Sequence, residues 1–311
     1  MLISTVVCTH NRAPYLAKAI ESLVSQTIAP DEYEIIVVDN RSTDATKEVV
    51  KTFTSVRSLK YIYEPTLGLA HARNAGWHRA SGKYVAYLDD DAVASSVWLE
   101  NIMHVFETVV PRPGCVGGKT YPIWEGHRPE WLPDDLLPAL SVVDWSEKPH
   151  FMTELSAEWI VGTNIAFPRE VLQALGGFVP GLDRVGTKLL SGGDVFLERQ
   201  ILEAGYPCFY DPQISVGHHI MQSRLQKSWF LQRFYWQGIS DAAMQTLKGK
   251  LSPRRRFSLA ALKTKQLVLS PGEVISLLLP TNNPGRFKRK CFGLIKLGQI
   301  RGLLFSPTIC Q

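Results

Sequence analysis

The chain predicts an α/β fold, a mostly parallel sheet flanked by helices with a C-terminal helical extension, on three observations. Apolar, β-branched runs alternate with helical patterns through the first part of the chain, which is the signature of successive βαβ units. Three of those runs end in polar or acidic residues, namely Thr9, Asp39 and Asp89-Asp90-Asp91, and the carboxyl ends of strands in an open α/β sheet face the ligand crevice. From Ser228 onward the periodicity is helical and dense basic runs appear. The expected division is a sheet domain over 1–225 and a helical, membrane-associating region over 226–311.

Leu2 to Cys8 reads as the first strand, followed by Thr9-His10-Asn11-Arg12 and a helix with Leu16, Ala19, Ile20 and Leu23 on one side. That loop is neither a Gly-x-Gly-x-x-Gly turn nor a phosphate loop, so hydride transfer and P-loop chemistry lose their main support. Thr9 can instead cap the helix. Tyr33 to Val38 is the second strand and ends in Asp39-Asn40; Ser42, Thr43 and Asp44 suit the cap of a helix running through Phe53. Leu59 to Tyr63 supplies the third strand.

The central stretch, Gly68 to Asp91, organises the rest. Leu69, Ala72, Ala75, Gly76 and Ala80 make a small-residue helical face, Gly82 ends the helix, and Tyr84 to Leu88 is a buried strand that delivers the three aspartates. Adjacent carboxylates repel unless a cation or hydrogen-bond donors offset the cost, and Mg²⁺ or Mn²⁺ prefers few carboxylates plus substrate phosphates. A solvated acidic turn before the helix near Val97 is the competing account. Arg73 could reach a diphosphate through charge-assisted hydrogen bonds or pair with a nearby carboxylate.

After a helix near 97–106 and a strand over 115–121, the composition shifts. Residues 121–151 hold Trp124, Trp131, Trp145 and five prolines with little periodicity, the mark of a long loop or lid whose rings either meet a ligand or anchor the segment. Glu158 to Phe167 reads as a returning strand, and Asp194 stands at a helix start behind Gly192-Gly193. Short strands over 206–210 and 214–216 precede His218-His219, whose side chains point in different directions on an extended chain. Ser228 to Leu247 is a helix with wide aromatic coverage, and Arg254-Arg255-Arg256 and Arg286-Phe287-Lys288-Arg289-Lys290 are the dense basic runs.

Three motifs, in order, resemble the donor-site signature of family 2 glycosyltransferases with the GT-A fold: Ala72-Arg73-Asn74-Ala75-Gly76, Ala80-Ser81-Gly82-Lys83-Tyr84 and Asp89-Asp90-Asp91. Asp39, Ser42, Asp44 and Thr46 match an Asp-x-x-Ser-x-Asp-x-Thr pattern of that family, and Asp194 and Leu197 match its Gly-Glu-Asp-x-x-Leu, with Gly193 in place of the glutamate. The resemblance covers roughly residues 1–240. It implies an inverting, metal-dependent transfer of a sugar from a nucleoside diphosphate sugar, a UDP-sugar first, to the hydroxyl of a glycan or lipid-linked acceptor. By the same resemblance Thr9, Asn11, Arg12, Asp39, Arg73, Asp89 and Asp90 hold the donor, Asp91 with Asp89 or His219 holds Mn²⁺ or Mg²⁺, and Asp194 is the base. Of the two adjacent histidines His219 is expected at the metal, with Arg224 downstream.

Other classes remain open on sequence. A nucleotidyltransferase also joins a nucleotide-binding sheet to acidic metal ligands, although the loop after the first strand is not Gly-rich and basic. A non-catalytic protein could keep the fold. The chain has 311 residues, a formal charge of +5 and 45% hydrophobic residues, enough for a substantial core. Five scattered cysteines, Cys8, Cys115, Cys208, Cys291 and Cys310, support neither a disulfide framework nor a zinc site. No charged leader and no apolar run of ~20 residues is seen, so a cytoplasmic enzyme, peripheral on the membrane face and without a nucleic-acid partner, is expected.

Overall fold

The computed structural model describes residues 1–305 apart from 54, 156, 187 and 282; Cys310 lies outside them. The chain forms two compact units, one of 1–123, 141–179 and 193–219, the other of 124–140, 180–192 and 220–311.

The first unit holds the sheet. Its parallel part is built from β1 (Ile3–Thr9), β2 (Tyr33–Asp39), β3 (Leu59–Tyr63) and β4 (Tyr84–Asp89), joined through the helices α1 (Ala13–Val24), α2 (Thr46–Lys51) and α3 (Leu69–Arg79). Strand order is β3-β2-β1-β4, with β1 parallel to both β2 and β4 and β2 parallel to β3. In the β1–β2 and β1–β4 ladders Thr9 stands beside Asp39 and Cys8 beside Asp89, so the polar strand ends fall at one edge.

Beyond β4 the pairing turns antiparallel. β5 (Ala92–Ala94), β6 (Cys115–Trp124), β7 (His150–Met152), β8 (Asn164–Pro168) and β9 (Cys208–Ile220) complete a nine-stranded sheet, with β8 antiparallel to β4 and β5 antiparallel to β9. Further helices are α4 (Trp98–Thr108), α5 (Arg169–Leu175) and α6 (Gly193–Glu203).

Strand alternation sorts the core into two faces. Val7, Ile35, Val37, Ala86 and Leu88 pack with Leu16, Ile20 and Leu23 of α1 and with Trp98, Leu99, Ile102 and Phe106 of α4. Their neighbours Val6, Ile36, Val38, Val85 and Tyr87 pack with Ala70, Ala72 and Trp77 of α3 and with Leu197 and Ile201 of α6. Helices thus cover both faces, as parallel strands that are apolar on both sides require.

The sequence expectations hold for these elements in outline and differ in detail; α1 starts after Arg12 with no side-chain cap, so Thr9 ends β1 and does not cap the helix. Residues 158–163 do not extend β8, because the amides of Ile160 and Gly162 donate to the carboxylates of Glu198 and Asp194 instead of to a ladder. The short strands expected over 206–210 and 214–216 are one strand, β9. The segment over 121–151 is more ordered than a bare loop. β6 runs to Trp124, a 3₁₀ helix spans Asp134–Leu140, and Thr120 bridges Val143. Trp145 packs on Trp159 with centroids 5.0 Å apart and donates to the Trp159 carbonyl at 2.8 Å, so it anchors the chain.

The second unit is helical: α7 (Lys227–Gly249), α8 (Pro253–Val268), α9 (Pro271–Leu278) and α10 (Pro284–Leu304). α7 and α10 meet along glycines. A Cβ on Gly238 would collide with the carbonyl oxygen of Ile295, and one on Gly298 with that of Tyr235. Trp131 sits between the rings of Phe230 (5.4 Å) and Phe287 (4.8 Å) within this unit. Ser252 and Asn283 cap α8 and α10 by accepting from Arg255 and Arg286 amides. Among the described residues no helix is long and apolar enough to cross a membrane.

Candidate active site

The rim at the carboxyl ends of β1, β2 and β3 is built by short polar ties. Asn40, just past β2, donates to the carbonyls of Glu64 (3.2 Å) and Thr66 (2.7 Å) and accepts from the Gly68 amide (2.7 Å), while its own amide donates to the Thr9 carbonyl (2.8 Å). The side chain thus ties the end of β2 to the segment 64–68, and the backbone amide ties it to the end of β1. Asn11, at φ 55°, accepts from the Thr43 amide and its amide donates to Ser42; Asn tolerates that left-handed backbone better than most residues. Its side-chain oxygen is therefore engaged in holding the loop after β2. Asp44 accepts from the Ala13 amide at the start of α1 (3.0 Å).

Asp39 is buried at the end of β2. One carboxylate oxygen accepts from the Ser42 amide (2.8 Å) and the other from the Tyr61 hydroxyl (2.7 Å). Burial first, then that bond to a carboxylate, raises the Tyr61 phenol, which stays protonated and keeps donating.

At the end of β4 the three aspartates differ sharply. The side chain of Asp89 is 35% exposed, whereas those of Asp90 and Asp91 are 8% and 2% exposed. Arg12 donates to Asp91 and, at 3.4 Å, to Asp90. Burial pushes the Asp90 carboxyl up to about 7, against the attraction of Arg12 and with the help of Asp91. Burial alone would lower the Arg12 guanidinium, but the charges of Asp91 and Asp90 raise it well above its ordinary value. Arg12, expected at the donor, thus also neutralises the acidic strand end.

The open carboxylate, Asp89, is held from the segment just ahead of β8. The Thr163 hydroxyl donates to it at 2.6 Å, and Arg73 lies 3.9 Å from its other oxygen. Gly162, next door, donates its amide to Asp194 at 2.8 Å. Consecutive residues therefore fix Asp89 and Asp194. A side chain on Gly162 would meet both the Arg73 guanidinium and the Asp194 carboxylate, so Arg73 and Asp194 close on the same spot. Arg73 also lies over the Phe178 ring at 5.0 Å, and Phe178 is tied to α3 by Asn74, whose amide side chain meets both its N–H (2.9 Å) and its carbonyl (2.8 Å).

Asp194 also accepts from the Val195 amide (2.9 Å) at the start of α6. One turn on, Glu198 is wholly buried and accepts from the Ile160 amide at 3.0 Å. Burial pushes the Glu198 carboxyl well above the usual range, against the Ile160 amide that donates to it. The two carboxyl groups of α6 together hold 160–162 in place.

The histidine at the aspartates is His218, and this corrects the expectation of His219. His218 pairs with Ala92 across the β5–β9 ladder, and its Nε2 lies 3.2 Å from Asp91. Asp89, Asp91 and His218 each offer a ligand atom, all within 4.8 Å of one another. His219 lies edge-on to Tyr15 at 5.7 Å between centroids, and its backbone amide donates to the Asp91 carbonyl at 2.8 Å. Hard carboxylate oxygens with one imidazole suit a small divalent cation such as Mn²⁺ or Mg²⁺. Arg224 is buried in the second unit, in a 3₁₀ turn over Gln222–Leu225.

Residues 4–176 match the family model described as Glycosyl transferase family 2. The chain belongs to that family. The glycosyltransferase is 29% identical over 251 residues to the glucosyl-dolichyl phosphate glucuronosyltransferase of Haloferax volcanii, a match covering 79% of this chain and 78% of the relative. It is 28% identical over 200 residues to the validoxylamine A glucosyltransferase of Streptomyces hygroscopicus subsp. limoneus, covering 57% of this chain but 44% of that relative. Among solved structures it is similar in fold to a mannosyltransferase from Pyrobaculum calidifontis in complex with GDP-mannose and Mn²⁺, with a TM-score of 0.65, 20% identity, and coverage of 98% and 88% of the two chains. S. aureus TarS 1–349 in complex with UDP aligns with a TM-score of 0.55 at 16% identity, over 97% of this chain and 91% of that one. These neighbours are GT-A glycosyltransferases, and the central sheet with helices on both faces is the same fold. The nucleotidyltransferase reading falls away with that membership.

Sequence reasoning overlooked Thr163, the tie made by Asn40, and Glu198. Alternation along Ile214, Val216 and His218 was the available signal for the histidine, since Ile214 and Val216 are buried on one face of β9.

Proposed function

We propose that the enzyme is a metal-dependent, inverting glycosyltransferase that moves a sugar from a nucleoside diphosphate sugar to an acceptor hydroxyl. The observation that carries this reading is the pair of carboxylates, Asp89 and Asp194, held by the consecutive residues Thr163 and Gly162 with Arg73 between them. Asp89, Asp91 and His218 would hold Mn²⁺ or Mg²⁺, which when bound supplies Lewis-acid stabilisation to a departing diphosphate.

The chain's own groups account for the remaining steps. Thr9, Asn11, Arg12, Asp39 and Asp90 shape the nucleotide side of the crevice, with Asp39 placed to accept from a ribose hydroxyl or base. Arg73 faces the diphosphate side as a fixed cation. Asp194, restrained by two backbone amides, takes the proton of the acceptor hydroxyl as that oxygen attacks. One displacement with one base inverts the anomeric centre. GDP-mannose and UDP in the structural neighbours support the donor class, and a UDP-sugar is the first candidate. The dolichyl phosphate relative supports a lipid-linked acceptor alongside a free glycan.

A thermal-shift panel of UDP-, GDP- and dTDP-sugars with and without Mn²⁺ tests this reading, because a ligand that binds the native state stabilises it by mass action. One donor is expected to raise the melting temperature, and to do so only with the metal. Metal-independent stabilisation by every nucleotide, or by none, would overturn it.

A further inference from the structure

The C-terminal unit leaves large apolar side chains in water. Leu278 is 81% exposed, Leu269 70%, Phe257 and Val268 67% each, and Ile275 54%, and all lie on α8, α9 or the turn that joins them. Scattered single exposures need no explanation, but a concentration of this kind on one helical pair marks an interaction surface. The rest of the unit shows that packing was available. The same stretch buries Ala260, Leu267 and Ser276, and Phe287 and Cys291 of α10 are fully buried.

Charge narrows what covers the surface. Between Lys250 and Phe305 the sequence has one acidic residue, Glu273, and it is paired with Lys296 at 2.8 Å. Basic residues are interleaved with the apolar ones on α8. Phe257 and Val268 stand eleven residues apart, three helical turns, and so lie on one line; Leu262 and Leu269, seven apart, lie on another. Arg254 and Lys265, again eleven apart, run between the two lines. A row of cations flanked by aliphatic and aromatic rows suits an interface that is anionic at one depth and hydrocarbon just below.

We infer that α8 and α9 seat the enzyme on an anionic lipid surface, with Arg254, Arg255 and Lys265 among the headgroups and Phe257, Val268, Leu269 and Leu278 in the acyl boundary. A nucleic acid would satisfy the cations and leave the aliphatic side chains in water. A folded protein would need shape complementarity to side chains that stand out singly into water, which fluid acyl chains do not. The inference uses no part of the transfer chemistry, and it adds to the proposed acceptor class the surface where a lipid-linked acceptor resides.

Sedimentation of the full chain with phosphatidylcholine vesicles, with and without phosphatidylglycerol, tests it. The protein is expected to pellet with the anionic vesicles and to remain in solution with the neutral ones. Phe257→Ser combined with Val268→Ser, Leu269→Ser and Leu278→Ser removes exposed side chains, so the melting temperature should hold while the vesicle partition coefficient falls at least about tenfold. Arg254→Gln with Arg255→Gln and Lys265→Gln should abolish the preference for anionic vesicles. The inference is overturned by no pelleting of the full chain, by pelleting indifferent to the four serines, or by duplex RNA that binds the face as strongly with and without them. Self-association in sedimentation velocity that the four serines abolish would overturn it in favour of a second copy of the chain. Donor binding by these variants is expected to match that of the unaltered protein, so failure here and failure of the proposed reaction are read separately.

Discussion

In the parallel half of the sheet, β3-β2-β1-β4, polar side chains beyond the strand ends are spent largely on one another. Asn40 joins the end of β2 to the segment 64–68, Asn11 holds the turn after β2, and Asp39 is braced by Ser42 and Tyr61. The antiparallel half contributes fewer groups, and they touch charge directly: Thr163 on Asp89, Gly162 on Asp194 and His218 on Asp91. One half offers a preformed rim and the other fixes the charged groups that the chemistry would use. Variants in the first are therefore expected to act on donor affinity, and variants in the second on turnover and metal affinity.

The largest separation is expected at Asp194. Asp194→Asn keeps the size and one acceptor oxygen but cannot take a proton, so single-turnover transfer should fall by about 10²–10⁴-fold while donor affinity is retained. Loss of its contacts to the Gly162 and Val195 amides costs about 0.5–2 kcal/mol of stability at most, which a melting curve reads independently. Near-normal transfer by a folded variant would break the comparison at its centre, and an α-linked product from an α-linked donor would refute inversion.

The next effect distinguishes adjacent histidines. His218→Ala should weaken Mn²⁺ binding by about 10–100-fold, the scale seen when a partner of a metal site is lost, whereas His219→Ala should leave it unchanged. Calorimetric titration of the metal into the nucleotide complex of each variant decides it. Equal loss in both would mean that the cluster of Asp89, Asp91 and His218 does not hold the cation.

The two halves also differ in what sequence alone conveys. β1 to β4 with their helices are local: each strand, cap and crossover is written within about 30 residues, so period and punctuation reveal them. Asp89 to Asp91, Asp39 and Asp194 were legible because carboxylates at strand and helix ends stand out in such a pattern. Thr163 and Gly162 were not, because their partners lie 74 and 32 residues away and nothing in an antiparallel return specifies its register. A one-residue shift along an extended strand exchanges its faces, and on β9 that single step separates His218, which meets Asp91, from His219, which turns to Tyr15. Trp131 was equally hidden, since its packing on Phe230 and Phe287 joins residues 99 and 156 positions apart.

A smaller effect is expected at Asp39. Asp39→Ala removes an acceptor from the nucleotide side and frees Tyr61, so the donor Kd should rise about tenfold, the cost of one charge-assisted hydrogen bond, with turnover at saturation retained. A drop in saturating turnover with no change in Kd would place Asp39 with the antiparallel half and erase the distinction.

The smallest effect belongs to the opposite end of the parallel strands, where Glu34 on β2 is a structural counterpart of Asn40. It is fully buried and accepts from Ser4 of β1 (2.6 Å) and from both the amide (2.7 Å) and hydroxyl (2.5 Å) of Ser81 ahead of β4, and it pairs with Lys60 of β3. Burial opposes the charged form, but Lys60 and the hydroxyl and amide donors outweigh it and hold the carboxyl at about 2, against 4.5 for an ordinary glutamate. A carboxyl with a depressed folded pKa contributes stability that is fully present above the unfolded value and is lost as pH falls toward the folded one, here between 4.5 and about 2. Glu34→Gln should lower the melting temperature at neutral pH by a few degrees, at roughly 2–4 °C per kcal/mol for a domain of this size. The gap from the unaltered protein should then shrink as pH falls through that window, with donor affinity and turnover at neutral pH untouched. A gap that is constant from neutral pH to pH 3 would show that packing of the amide, and not the charge of Glu34, clamps the four strands at the end away from the crevice.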